Sequence, residues 1–219
     1  MPFSPLLLIL FIFLLGWLLA FVQLGILTIA FQKLGLSPGA AFTLLFGSLL
    51  GSAINIPLVK VRATQVLPPE EHPLVTLLRP RFDRFEGYTI IAVNVGGCII
   101  PLLFSLYLVS RDPSILLPAL IGMVVVAAVS YRMSQPVPGM GIAMPILIAP
   151  ATAALVALLL DGDNSPAIAY VSGTIGVLVG ADLLHLKEVR NLGAPMASIG
   201  GAGTFDGIFL TGVVAVLLA

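Results

Sequence analysis

The chain has 219 residues, 59% of them hydrophobic and 9% charged, with a mean hydropathy of +1.14. A soluble domain carries about 25% charged residues, so this composition excludes one and makes the bilayer the solvent. Ten basic residues balance ten acidic ones, leaving no basic field to recruit nucleic acid, and the lone Cys98 has no partner for an intrachain disulfide.

The first apolar run, about Leu6 to Ala30, is longer than a signal-peptide core and lacks both a basic leader and a small-residue cleavage pattern, so it predicts a retained helix. After Lys33 and the break at Gly35-Leu36-Ser37-Pro38-Gly39, a second run extends from about Ala40 to Val59. Its Gly47, Ser48, Gly51, Ser52 and Ala53 predict close helix contact and an interior position. Residues 60–87 form a long polar connection, broken by Pro68, Pro69 and Pro73; Leu74 to Leu78 within it reads as a linker or a short interfacial piece.

Further spans are predicted at about Tyr88 to Val109, Ser114 to Ser130, Ile142 to Leu160, Ala167 to Leu186 and Ile199 to Ala219. The separators are Arg111-Asp112-Pro113, the hinge from Tyr131 to Gly139, the acidic turn Asp161-Gly162-Asp163-Asn164, and a turn around Ala194. The expectation is thus an all-α, polytopic transmembrane bundle of about seven spans, forming one domain over residues 1–219. Short cytoplasmic loops retain lysine and arginine. With the N-terminus inside and the C-terminus outside, the inner loops hold Lys60, Arg62, Arg79, Arg81, Arg84, Arg132, Lys187 and Arg190, against only Lys33 and Arg111 outside. That count makes residues 60–87 a cytoplasmic loop, and the short loops suit a prokaryotic plasma membrane.

Two acids fall in sequence that otherwise belongs in lipid, Asp182 and Asp206. A carboxyl inside a membrane helix costs about 2.5–3.5 kcal/mol on insertion scales, which marks both as functional candidates. They are equidistant from Ala194, so a hairpin turning there brings them level, near the cytoplasmic side. Glycines crowd both positions: Gly173, Gly176 and Gly180 on one side, and Gly200, Gly201, Gly203, Gly207 and Gly212 on the other. Close approach forces two carboxyls to share a proton, leaving one acid and one base, a state suited to activating water against a peptide carbonyl.

The run Gly203-Thr204-Phe205-Asp206-Gly207-Ile208-Phe209, opening a helix after a helix that ends in an acid, resembles the intramembrane aspartyl proteases. That group includes presenilin, signal peptide peptidase and prepilin peptidase, whose second acid lies in a Gly-x-Gly-Asp motif. The resemblance covers the last two helices. It implies that Asp182 and Asp206 are the catalytic pair, supported by Gly203, Thr204, Phe205 and Gly207, and that the substrate is a transmembrane or membrane-associated peptide. The whole chain also resembles a family of uncharacterised prokaryotic multi-span membrane proteins.

Asn55 and Asn94 bond the acids or a substrate backbone, or else simply hold neighbouring helices. The stretch from Gln135 to Gly141, with Pro138 and Gly139, either presents an extended substrate or only begins a helix. His185 and His72 lack metal-ligand spacing, and Gly200 to Gly203 is followed by no Gly-Lys-Ser/Thr, so no metal and no cofactor are predicted. Two functions therefore compete: a peptidase cutting near the cytoplasmic face, and a proton- or cation-coupled transporter or channel using the same acids.

Overall fold

The computed structural model describes residue 16 and residues 25–63, 87–137, 141–191, 193–201 and 207–219. Helix α1 (Gly25–Lys33) meets α2 (Pro38–Gly51) at a 114° bend. Gly35 makes the bend: its φ of 72° is the left-handed value that ends helices, and Gly35 N–H and Leu36 N–H donate back to Gln32 O and Phe31 O. Ser37 then caps α2 by accepting from Ala40 N–H, with Pro38 in its first turn.

Strand β1 (Asn55–Arg62) follows α2 and pairs antiparallel with β2 (Tyr88–Asn94), with a register shift at Pro57. A π-helical turn, Val95–Ile99, leads from β2 into α3 (Ile100–Arg111), and the chain turns through Pro113–Ile115 into α4 (Leu116–Met133). A small hairpin of β3 (Gln135–Val137) and β4 (Gly141–Ala143) precedes α5 (Ile148–Leu160). Helix α6 (Ser165–Val177) continues into a second π-helical turn, Leu178–Leu183. Strand β5 (Met196–Ile199) then pairs parallel with β2, giving the order β1-β2-β5, and α7 (Gly207–Leu218) closes the described chain.

The fold is mixed, and this overturns the all-α bundle of seven spans. Two helices, Pro113–Met133 and Ser165–Leu183, are long and apolar enough to cross a membrane, or three if the bent α1–α2 pair counts as one span. Strands take the ends of the runs that hydropathy assigned to helix. Asn55 to Val59 lies in β1, Tyr88 to Val93 in β2, Ile142 in β4 and Ile199 in β5. The apolar helices left behind, such as Val95–Arg111 and Ile148–Leu160, fall below the roughly 20 residues that a crossing needs. An apolar run does not by itself separate a buried strand from a helix; the β-branched Thr89-Ile90-Ile91-Ala92-Val93 favours the strand. The N-in/C-out orientation counted from seven crossings falls with them.

Helix α6 is the centre of the bundle: 10 of its 13 residues are buried, against 5 of 18 in α4, whose Leu117 and Val124 point outward. Helices α4 and α6 run parallel, with Gly122 against Ser172, Gly176 against Val126 and Gly180 against Ala127. Pro113 and Ser165 therefore mark one end of the molecule, and Met133 and Leu183 mark the other, where the three-stranded sheet lies. Helix α7 returns antiparallel to α6: Gly212 sits against Thr174 and Tyr170, and Ser165 Oγ donates to Ala219 O at 3.2 Å.

Candidate functional site

Four separate pieces of chain converge at the sheet end of α6. Asp182 stands in the π-helical turn that closes the spanning helix, and such turns often mark functional sites. Its half-buried carboxyl accepts from Gly200 N–H, with Oδ2 at 2.8 Å. Among the described residues this is the one hydrogen bond made to that carboxyl.

Gly200 reaches Asp182 because the chain turns sharply after β5. Gly201 N–H donates to Ser198 O, and Gly200 at the third turn position has φ 75°, the value a type II turn requires there. A side chain at Gly200 would also collide with Cys98, its ideal Cβ lying 2.6 Å from Cys98 Cβ. The strand itself is pinned upstream. Thr89 Oγ1 donates to Ala194 O at 2.8 Å, and Ile90 N–H donates to Pro195 O at 3.0 Å.

Asn94 ends β2 and ties the remaining pieces together. Its Oδ1 caps the first π-helical turn by accepting from Gly97 N–H at 2.8 Å. Its Nδ2 donates to Ser52 O at 2.7 Å and to Asn55 Oδ1 at 3.0 Å. Ser198 Oγ donates to the same Asn55 oxygen. Below this cluster Ser48 Oγ donates to Gly96 O at 2.6 Å, and α2 lies so close that a Cβ on Gly96 would stand 1.9 Å from Ser48 O.

Asp182, Asn55 and Asn94 are thus gathered at one end, while Gly207 begins α7. Asp206, Gly203, Thr204, Phe205, Pro138 and Gly139 lie outside the described residues. Gly176 and Gly180, expected to bring the two acids together, instead press α6 onto α4. The turn expected at Ala194 is a longer connection that contains β5. His185 is buried against Tyr131, its ring centroid 4.8 Å away, with Nδ1 3.1 Å from Gly180 O.

Two contributors escaped the sequence reading, Ser198 and the backbone N–H of Gly200. The available signal was short and weak, four residues of strand between Pro195 and two glycines. No group of three or more His, Cys, Asp or Glu able to hold a metal occurs among the described residues.

At the opposite end the carboxylate contacts are local. Asp161 accepts from Asn164 Nδ2 at 2.9 Å and from the N–H groups of Asn164 and Asp163 at 3.2 Å. The Asn164 side chain, then its backbone N–H, hold the Asp161 carboxyl below the usual range. Arg111 Nη1 donates to Gly35 O at 3.3 Å, and Lys33 Nζ donates to Val216 O at 3.3 Å and Leu217 O at 3.4 Å.

No curated protein and no solved structure matches the chain. A family profile described as a protein of unknown function (DUF1614) matches residues 49–218, a span that takes in the sheet, both π-helical turns and Asp182. The chain belongs to the DUF1614 family.

Proposed function

We propose that the chain is an intramembrane aspartyl peptidase in which Asp182 and Asp206 divide the acid and base roles. The observation that carries this reading is the bond from Gly200 N–H to Asp182 Oδ2. It fastens the acid at the end of a spanning helix to a segment that runs, six residues later, into Asp206. The antiparallel packing of α6 and α7 supports the pairing. Continuing the register of Gly212 against Thr174 brings Gly207, the neighbour of Asp206, level with the turn that bears Asp182.

Two carboxyls in close approach share one proton. The ionised one takes a proton from water as the water attacks the peptide carbonyl, and the neutral one polarises the carbonyl oxygen. Collapse of the tetrahedral intermediate then returns a proton to the leaving amine. No cofactor takes part. β5 is an outer strand of its sheet, so an extended segment of a transmembrane or membrane-associated peptide adds along it and reaches the acid through the Gly200 turn. Asn94, buried with its amide engaged on both sides, positions the sheet and does not contact substrate. Lys60, Arg62, Arg132, Lys187 and Arg190 belong to the sheet end, which supports cleavage near the cytoplasmic face of a prokaryotic plasma membrane.

The test is cleavage of a transmembrane reporter peptide in proteoliposomes. Asp182→Asn and Asp206→Asn should each slow it by about 10²–10⁴-fold. Equal cleavage by all three proteins overturns the proposal. Proton-linked flux in the same vesicles, lost in both variants without any cleavage, selects cation-coupled transport instead.

A further inference from the structure

At the sheet end Gly51 of α2 lies against Gly96 of the π-helical turn and Ile100 of α3, and an apolar opening lies between the two helices beyond that contact. The opening between them is a groove of about 570 Å³, within the range of about 300–1,000 Å³ typical of ligand sites. Ala40, Leu44 and Gly47 of α2 face Ile100, Phe104 and Tyr107 of α3 across it. The one hydroxyl on the α2 wall, Thr43 Oγ1, donates to Gly39 O of its own helix at 2.9 Å, so that wall offers nothing polar to a ligand. Exposed apolar side chains flank the opening on both helices, Phe42 and Leu50 on α2 and Leu103 and Leu106 on α3, so the groove faces the surface that lipid wets.

A cation stands at its mouth. Arg111 follows Tyr107 by four residues and so lies on the same face of α3. Its guanidinium covers the α1–α2 turn at Gly35, next to groove residue Leu36, where an ideal Cβ on Gly35 would stand only 2.9 Å from Nη1. Arg111 is exposed, and among the described residues its hydrogen bond goes to a backbone carbonyl and not to a carboxylate. The neighbouring Asp112 is turned away, accepting from Ser114 N–H and Ser114 Oγ. An arginine has five donors in a planar fork that suits phosphate, and among the described residues only one is used. Two residues on, at Pro113, the chain enters a spanning helix, which sets the guanidinium at headgroup depth.

We propose that the α2–α3 groove binds one anionic phospholipid, with an acyl chain along the apolar walls and the phosphate on Arg111. The site is at the opposite end from Asp182 and independent of the peptidase reading. Native mass spectrometry of the full chain, with phosphatidylglycerol or phosphatidylcholine of identical acyl chains, tests it. The wild type should retain phosphatidylglycerol preferentially. Arg111→Gln should lower its retention about tenfold, the effect of losing one charge-assisted hydrogen bond, and leave phosphatidylcholine unaffected. Thr43→Trp, at an exposed position on the groove wall, should lower retention of both lipids. Lys187→Gln, at the sheet end, should change neither.

Equal retention of the two lipids by the wild type overturns the proposal, as does an unchanged preference in Arg111→Gln or an equal loss in Lys187→Gln. Unchanged retention in Thr43→Trp removes the groove from the site. Displacement of the lipid by inorganic phosphate assigns the guanidinium to a free anion instead. No adduct with either lipid also overturns the proposal, because the groove is then not a lipid site.

Discussion

The two ends of the molecule use similar polar residues in opposite ways. At the sheet end, Asn55, Asn94, Ser198 and Asp182 join segments far apart in sequence, and Asn94 is 2% exposed. At the other end, Asp112 and Asp161 accept from groups two or three residues away, and both turns lie in solvent. Long-range bonds in a low-dielectric interior hold architecture together, because a buried group that loses its partner stays desolvated. Local bonds in exposed turns only shape the turn, because water replaces a lost partner. Chemistry that needs a fixed acid therefore belongs at the first end, while the acidic turns of the second can be rebuilt with little effect on the fold.

Steric substitution breaks this contrast most severely. Gly96→Ala puts a methyl group 1.9 Å from Ser48 O and 2.3 Å from Ser52 N, both backbone atoms, so α2 must move off the π-helical turn. The expected loss is about 3 kcal/mol of stability, read from thermal unfolding in detergent. Gly162→Ala in the acidic turn meets open space and should stay within about 0.5 kcal/mol of wild type. Similar losses at both positions would remove the distinction between the ends.

Polar deletion follows. Asn94→Ala leaves Gly97 N–H and Ser52 O without their side-chain partner in a buried site and should cost about 2–3 kcal/mol. Ser198→Ala, which removes one of the two bonds to Asn55 Oδ1, should cost about 1 kcal/mol. Ser114→Ala loses a bond of comparable length to Asp112, but at an exposed site, and should shift stability by less than about 0.5 kcal/mol. Equal effects of Asn94→Ala and Ser114→Ala would mean that burial does not set the difference.

The sequence made the membrane environment legible, because few charges over long apolar runs leave no alternative solvent. It also exposed Asp182 and Asn94 as polar groups in apolar surroundings. It hid what those groups contact. Asn94 and Asn55 are 39 residues apart, and Ser198 is 143 residues from Asn55; no local pattern encodes such a meeting. The strands were hidden for a different reason: Tyr88 to Asn94 and Asn55 to Val59 are apolar enough to extend the helices beside them. Only their β-branched content and the interruption at Pro57 spoke for strand. Glycine misled only in part: Gly173 and Gly212 do lie between α6 and α7, whereas Gly180 marks a close approach to Ala127 of α4.

The smallest expected effect concerns pH at the exposed end. In the folded chain Asp161 titrates below the roughly 3.9 of a free aspartate, because Asn164 and Asp163 donate to its charged form. A depressed pKa in the folded state means that the unfolded chain binds the proton first as pH falls. The turn's contribution is therefore complete above about pH 4 and disappears as pH drops through the lower, folded pKa. Carboxyl carbon shifts followed by NMR in micelles should give an Asp161 midpoint below that of free aspartate, and Asn164→Ala should move it upward. Melting temperatures of wild type and Asp161→Asn should also converge in acid. A midpoint at or above the free value would show that the Asn164 bonds do not persist in solution, and would make this turn still less structured than its local contacts imply.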